Sequence, residues 1–300
     1  MTITTPHRRP PELRRSWLFV GGVDEAALDA AGSAGADVLI LELEDFTPPA
    51  ARPVARARAG ELFAAWRAAG IIAAVRVNPL ESDDGMADLD AVMTAGPDAV
   101  LLPKVAETAQ VARLDVEVGR LEAVHGIESG STELVPNIEL ARGLIQTHDV
   151  CTVSPRITAA LVASEDMAAD LGAERGPDGL ELQYVRQRFI VECAAAGTPA
   201  IDCPFTWSDT EGVEADTRYA RRLGYKAKSL VDPAHVPIIN DVLTPNTDEI
   251  AHAQRVTTAF EDAQMAGHGR VEVDGSQVEL PIYMNAKRLL KRAEALAAWV

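Results

Sequence analysis

Eight short apolar runs, each followed by an alanine-rich stretch of helical character, divide the first 240 residues of this chain. The runs fall at 16–20, 38–43, 72–77, 99–102, 134–138, 158–163, 200–203 and 227–231. Several are near-continuous in apolar residues, as parallel strands covered on both faces are. The stretches 53–69 and 177–196 each open with a proline, which a first helical turn tolerates. They close before Gly70 and Gly197, in the position that favours a left-handed glycine. Eight β/α repeats in this length predict a (β/α)8 TIM barrel. The alternative is a doubly wound open sheet. It needs fewer strands and a glycine-rich phosphate loop after the first, and Gly21-Gly22 is too little for that loop.

Past residue 240 the pattern changes. Asn246 followed three residues later by Glu249 is a capping-box signature, and it predicts a helix to about Met265 that stops at Gly267. Val271, Val273, Val278 and Leu280 alternate about Asp274-Gly275, a hairpin signal. A last helix is predicted over 285–299. The chain therefore reads as a barrel over 1–240, with 1–14 as an extended tail, and a C-terminal helix–hairpin–helix appendage over 241–300. The appendage is expected to act as a lid, on its own barrel or over a neighbouring subunit's site.

Charge narrows the partners. The chain has 28 Lys and Arg against 45 Asp and Glu, a net charge of −17. A duplex-binding surface needs the opposite balance, so no nucleic-acid partner is expected. No run approaches the roughly 18 apolar residues of a membrane span, and no hydrophobic segment follows the basic N-terminus as in a signal peptide. Cys151, Cys193 and Cys203 form neither a CxxC pair nor a metal spacing. They read as reduced, buried thiols of a cytoplasmic protein.

A TIM barrel carries its chemistry at the C-terminal ends of its strands. The second run delivers Glu42, Glu44 and Asp45 there, the third Arg76 and Asn78, the fourth Lys104 and the fifth Glu139. The sixth delivers Ser164, Glu165 and Asp166, the seventh Asp202 and the eighth Asp232. Any one of these could be a solvated loop charge; their convergence around one Arg and one Lys argues for a site. Crowded carboxylates repel, so either some are protonated or a cation sits among them. With no His or Cys at these positions, oxygen donors point to Mg²⁺ first, Mn²⁺ second, and away from Zn²⁺. Mg²⁺ takes one or two protein carboxylates and completes its shell from water and substrate, and a keto acid or enolate supplies two oxygens. The Arg76 fork suits a substrate carboxylate. Lys104 is read as balancing charge in preference to forming a Schiff base. No GxSxG, HExxH, Walker A or kinase signature occurs, and His125, His148, His235 and His252 read as structural or exposed.

Seven stretches then carry a resemblance. They are Arg15-Ser16-Trp17-Leu18-Phe19-Val20, Glu42-Leu43-Glu44-Asp45, Val75-Arg76-Val77-Asn78 and Leu102-Pro103-Lys104-Val105, followed by Asn137-Ile138-Glu139-Leu140-Ala141-Arg142-Gly143, the run from Glu165 to Gly172 and the run from Ala196 to Asp202. In this order and spacing the chain resembles the HpcH/HpaI aldolase and citrate lyase β-subunit superfamily, in its CitE-like branch, from about Arg15 to Ala286. The resemblance implies a TIM barrel, a homotrimer or hexamer, and Mg²⁺ held by Glu139 and Asp166. It implies substrate contact by Arg76 and a supporting role for Glu44 and Asp45. Arg15 and Ser164 are counted with the substrate- and cofactor-binding positions. The implied reaction is cleavage or formation of a carbon–carbon bond in a 3-hydroxyacyl-CoA such as malyl-CoA or citramalyl-CoA, yielding a 2-keto acid and an acyl-CoA. In relatives the base is an Asp in an Ile-Asp-x-Pro stretch that reaches a neighbouring subunit's site; here Val278-Glu279-Leu280-Pro281 puts Glu279 there. The alternatives are an aldolase or lyase on a free hydroxy-dicarboxylic acid, a synthase or thioesterase of the malyl-CoA type, and a non-catalytic citrate lyase-type subunit working with an acyl-carrier partner. The chain departs from the family at Gly21-Gly22, Glu42, Ser164, Ala227 and Asp232, the last two on the rim that serves the coenzyme A thioester.

Overall fold

The computed structural model describes residues 8–299. The apolar runs become eight parallel strands: β1 (Ser16–Gly21), β2 (Val38–Glu42), β3 (Ile72–Arg76), β4 (Ala99–Leu102), β5 (Glu133–Ile138), β6 (Ala160–Val162), β7 (Ala200–Asp202) and β8 (Ala227–Leu230). Each strand pairs with the next, and Ser16 to Leu18 of β1 pair with Lys228 to Leu230 of β8, which closes the barrel. With helices between the strands, this is the predicted (β/α)8 TIM barrel. Side-chain alternation explains it. Val38 and Ile40, Ile72 and Ala74, and Ala99 and Leu101 meet with Val135, Leu161, Ile201 and Ala227 in one core cluster inside the barrel. The intervening residues, such as Leu39, Leu41 and Val100, are fully buried on the other face.

Local chemistry sets the helix limits. Asp24 and Ser82 accept the N–H of Ala27 and of Gly85 and so start Glu25–Ser33 and Asp83–Met93. Arg52–Ala68 carries Pro53 in its first turn, and Gly70 follows it at φ 76°. The expected helix from Pro177 is shorter: it spans Gln183–Ala196 and ends at Gly197. Gly179 at φ 60° donates its N–H to the Gly176 carbonyl, so Pro177 belongs to a turn, and Leu180–Leu182 is a 3-10 segment. Cys151, Cys193 and Cys203 are buried free thiols.

Residues 1–7 of the expected extended tail lie outside the described residues. Its remainder is not simply extended: Pro11–Leu13 forms a 3-10 turn. Its arginines pair with carboxylates at the N-terminal ends of the strands, Arg9 with Asp37 at 2.6 Å and Arg14 with Glu133 at 2.5 Å.

The chain divides into two compact units, Met1–Asp241 and Val242–Val300. In the second, the capping box between Asn246 and Glu249 starts Thr247–Met265 as predicted. Strands β9 (Val271–Val273) and β10 (Ser276–Val278) form an antiparallel hairpin. Asp274 and Gly275 both have positive φ, 50° and 80°, as the hairpin turn requires. Leu280 is not a strand residue. Pro281 fits a first helical turn, so the last helix starts early and spans Leu280–Ala297. A small core of Val256, Phe260, Val273 and Val278 holds the unit, with Tyr283 stacked on Phe260 at 4.8 Å. Among the described residues no helix is long and apolar enough to cross a membrane.

Candidate active site

Strand alternation delivers the site. Continuing the inward-facing rows in steps of two puts Glu42 at the end of β2, Arg76 at the end of β3 and Glu139 just past β5. Glu42 and Arg76 stand side by side in the β2–β3 register. Arg76 Nε donates to Glu42 Oε1 at 2.8 Å, and its terminal nitrogens lie 3.3 Å from Glu139 and 3.4 Å from Glu44. The Phe19 and Phe46 rings lie 5.0 and 5.9 Å from the guanidinium carbon. Burial opposes the charge on Arg76, but Glu42, Glu139 and Glu44 outweigh it, so the guanidinium is held above its ordinary range.

Glu139 is fully buried. One of its oxygens faces Arg76 and the Asn137 amide, and the other accepts the Lys104 N–H at 3.1 Å. Lys104 reaches that position with a left-handed backbone, φ 52°, a conformation that costs a non-glycine residue energy and recurs at functional sites. Its Nζ donates to Glu44 at 2.5 Å and lies 3.7 Å from Asp45 and 3.9 Å from Asp166. Burial opposes the Lys104 charge, but the bond to Glu44 and the neighbouring carboxylates raise its pKa. The ammonium thus stands among three carboxylates, the setting of a charge-balancing lysine. Gly143 lets this corner close: a Cβ there would sit 2.0 Å from the Val105 carbonyl oxygen.

Beside these groups is a cavity of about 270 Å³. Arg76, Asp45, Ser164, Glu165 and Asp166 line one part of it, and Phe19, Phe46, Leu161, Ala163, Val231, Pro204, Thr206 and Ser229 the rest. A second cavity of about 220 Å³ shares Phe19, Phe46 and Val231, and its one ionisable lining residue is Asp24. The structure thus brings together Arg76, Glu44, Asp45, Lys104, Glu139, Ser164 and Asp166.

Arg15 is not among them. It precedes β1 at the opposite end of the barrel, where it pairs with Asp37 at 2.9 Å. It is corrected from a substrate- or cofactor-binding residue to one that ties the chain to the N-terminal face, because β1 runs away from it towards the site. Glu279 lies in the second unit, exposed, as the residue preceding the helix Leu280–Ala297 and not on the hairpin as expected. Asp202 also departs from expectation: Ile201 is the inward residue of β7, so Asp202 turns outward to Arg186. Glu42, expected at this rim but given no role there, occupies a position that matches that of Arg76. It accepts the Glu44 and Phe46 N–H groups at 2.8 and 2.6 Å and so shapes the loop that carries Glu44 and Asp45.

The donor set fits a hard divalent cation. Glu42, Glu44, Asp45, Glu139 and Asp166 are five carboxylates facing two cations, Arg76 and Lys104. Burial pushes the Glu139 carboxyl up to about 7; Arg76 opposes the shift, while Glu44 and Asp166 add to it. A cation would relieve that repulsion. Among the described residues no three or more His, Cys, Asp or Glu converge as a complete cage. Two carboxylates with room for water and substrate are what Mg²⁺ takes, and Glu139 and Asp166 are among the five carboxylates that could supply them.

Known proteins resemble this chain in sequence and in fold. The profile described as HpcH/HpaI aldolase/citrate lyase matches residues 15–233. Citrate lyase subunit beta of Leuconostoc mesenteroides subsp. cremoris is 33% identical over 284 residues, 94% of this chain and 94% of its own length. A (3S)-malyl-CoA thioesterase of Cereibacter sphaeroides is 32% identical over 292 residues, 95% of this chain and 96% of its own. The crystal structure of CitE from Mycobacterium tuberculosis with magnesium, acetoacetate and coenzyme A superposes with a TM-score of 0.75 at 26% identity, over 94% of this chain and 98% of that one. Family profile, full-length relatives and barrel architecture agree, and the chain belongs to the HpcH/HpaI aldolase/citrate lyase family.

Proposed function

We propose that the protein is a Mg²⁺-dependent carbon–carbon lyase that cleaves or forms a 3-hydroxyacyl-CoA, such as malyl-CoA or citramalyl-CoA, releasing a 2-keto acid and an acyl-CoA. One observation carries the reading: a buried arginine fork set among more carboxylates than it and Lys104 neutralise, at the mouth of a barrel. The magnesium, keto acid and coenzyme A in the related structure support it. When bound by Glu139 and Asp166, Mg²⁺ supplies Lewis-acid polarisation of the keto acid's carbonyl.

The chain's own residues do the rest. Arg76 orients the substrate carboxylate through its terminal N–H groups, while Glu42 keeps the guanidinium from rotating. The Lys104 ammonium, steered by Glu44, offsets negative charge that develops beside Asp166. Phe19, Leu161 and Val231 exclude water from the other side of the cavity. We assign the base that takes the hydroxyl proton to Glu279, delivered from a neighbouring copy in a homotrimer or hexamer. Glu279→Gln should lower kcat by about a hundredfold or more while Mg²⁺ and keto-acid affinity hold; unchanged kcat removes Glu279 from the mechanism.

Product analysis tests the reaction. Malyl-CoA and citramalyl-CoA should give glyoxylate or pyruvate with Mg²⁺ and neither with a chelator. Release of the CoA thiol without keto acid favours thioester hydrolysis, the reading that the thioesterase relative supports. Keto-acid release from free hydroxy-dicarboxylic acids alone favours an aldolase that does without coenzyme A, consistent with Asp232 on the rim.

A pH dependence adds a second test. With Glu139 pushed up to about 7, protons compete with the metal. The apparent Mg²⁺ Kd should be flat above pH 8 and rise towards tenfold per pH unit below 7. Calorimetric titration at pH 6, 7 and 8 reads this, and a constant Kd would exclude Glu139 from the ligands.

A further inference from the structure

On the outer face of β7 and β8, four charged side chains close on one another, three of them buried and Asp216 partly so. Lys228 is fully buried, and its Nζ donates to Asp202 Oδ2 at 2.7 Å, Asp216 Oδ2 at 2.5 Å and the Cys203 carbonyl at 2.6 Å. Arg186 donates to both Asp202 oxygens at 2.9 and 2.7 Å, and to Asp216 Oδ1 at 2.6 Å. The two cations balance the two carboxylates. Even so, desolvating four charges is costly, and well-packed apolar residues would join strands to helices at least as well. Apolar residues would not hold a backbone carbonyl.

That carbonyl is well placed. Cys203 immediately precedes Pro204, and Pro204 and Thr206 line the cavity. The fixed φ of proline makes the 203 carbonyl a short lever on residues 204–206. Ser229 Oγ fixes the preceding carbonyl, that of Asp202, at 2.8 Å. Further along, Thr206 Oγ1 donates to Glu165 Oε1 at 2.8 Å. Glu165 adjoins Asp166 at the start of the helix Glu165–Leu171.

We infer that Lys228, with Arg186, Asp202 and Asp216, is a positioning device: it sets the Cys203 carbonyl, hence the wall at 204–206, and through Thr206 and Glu165 the placement of Asp166. The consequence for activity rests on the reading of Asp166 as a metal-binding carboxylate. None of the four lines the substrate cavity, so they act through the loop and not on substrate.

Two variants test this at opposite ends. Asp216→Asn keeps the shape of the quartet and removes one charge. Thr206→Val cuts the link at its exposed end and leaves the buried charges intact. Amide exchange should accelerate about tenfold over 205–209 and 164–171 in D216N, and over 164–171 alone in T206V. The Kd for Mn²⁺, used as the probe, should rise about tenfold in both. A purely structural quartet would lower the melting point of D216N and move neither readout in T206V. Wild-type exchange over 164–171 in T206V overturns the inference. If the wild-type protein binds no Mn²⁺, the metal reading fails instead, and the exchange pattern still decides whether the quartet positions the loop.

Discussion

Glu139→Gln is expected to make the protein inactive and more stable. Loss of the buried carboxylate should reduce metal-dependent turnover by about a thousandfold, equivalent to roughly 4 kcal/mol of transition-state stabilisation. In the absence of metal and substrate the same change removes a burden. Glu139 is raised from its usual 4.5 to about 7, chiefly by burial, so the folded protein binds this proton more tightly than the unfolded chain does. Stability linked to that proton is complete below about pH 4.5 and is lost as pH rises through 7. At pH 8 the wild-type protein therefore carries a penalty of about 3 kcal/mol that the amide does not. Urea unfolding of both proteins with a chelator, at pH 5 and pH 8, reads the difference directly. The Glu139→Gln variant should be the more stable at pH 8 and the two should converge at pH 5; a less stable variant at pH 8 would contradict the account of Glu139 as a carboxylate stressed for function.

Arg76 is expected to behave in the opposite sense. Arg76→Met leaves Glu42, Glu44 and Glu139 facing one another without the cation that now touches all three. Removing one partner from a buried charge cluster costs about 3–5 kcal/mol. The loss should be largest above neutral pH, where the carboxylates resist protonation, and smaller near pH 5. Arg76→Lys separates charge from geometry. It restores a cation, so most of the stability should return. An ammonium offers no planar fork, however, and cannot satisfy Glu42 while presenting parallel donors to a substrate carboxylate. Activity should stay at least about a hundredfold down, mainly as a raised KM. Urea midpoints and steady-state kinetics on the two variants separate the effects, and full activity in the lysine variant would remove the clamp from the mechanism.

The barrel was legible because its strands are written as unbroken apolar runs, and eight of them in sequence leave few architectures. Helix ends were legible where a single residue decides them, as at Gly70, Gly197 and Asn246. Pro177 misled because a proline that opens a helix and one that opens a turn look alike until Gly179 is seen to adopt positive φ. Leu280 misled because its alternation with Val278 competes with Pro281, and in the structure the helix wins. The site was legible one strand end at a time. Period-two alternation, applied strictly, also separates Glu42 from Asp202: Glu42 continues the inward row of Val38 and Ile40, whereas Asp202 follows the inward Ile201. Arg15 was misassigned although its place before β1 already marks the N-terminal mouth, opposite the strand ends that carry the chemistry. Contacts of Lys104 with Glu44 and of Thr206 with Glu165 join different βα loops, and no local pattern encodes them.

The side-by-side placement of Glu42 and Arg76 bears on assembly as well as on chemistry. A slip of one residue between β2 and β3 would reverse the facing of one whole strand and send one of the two charges into the helical layer without its partner. Misregistered barrels are thus penalised by the same ion pair that stands at the candidate site. Closure of the barrel and the pairing of Glu42 with Arg76 thereby become a single event.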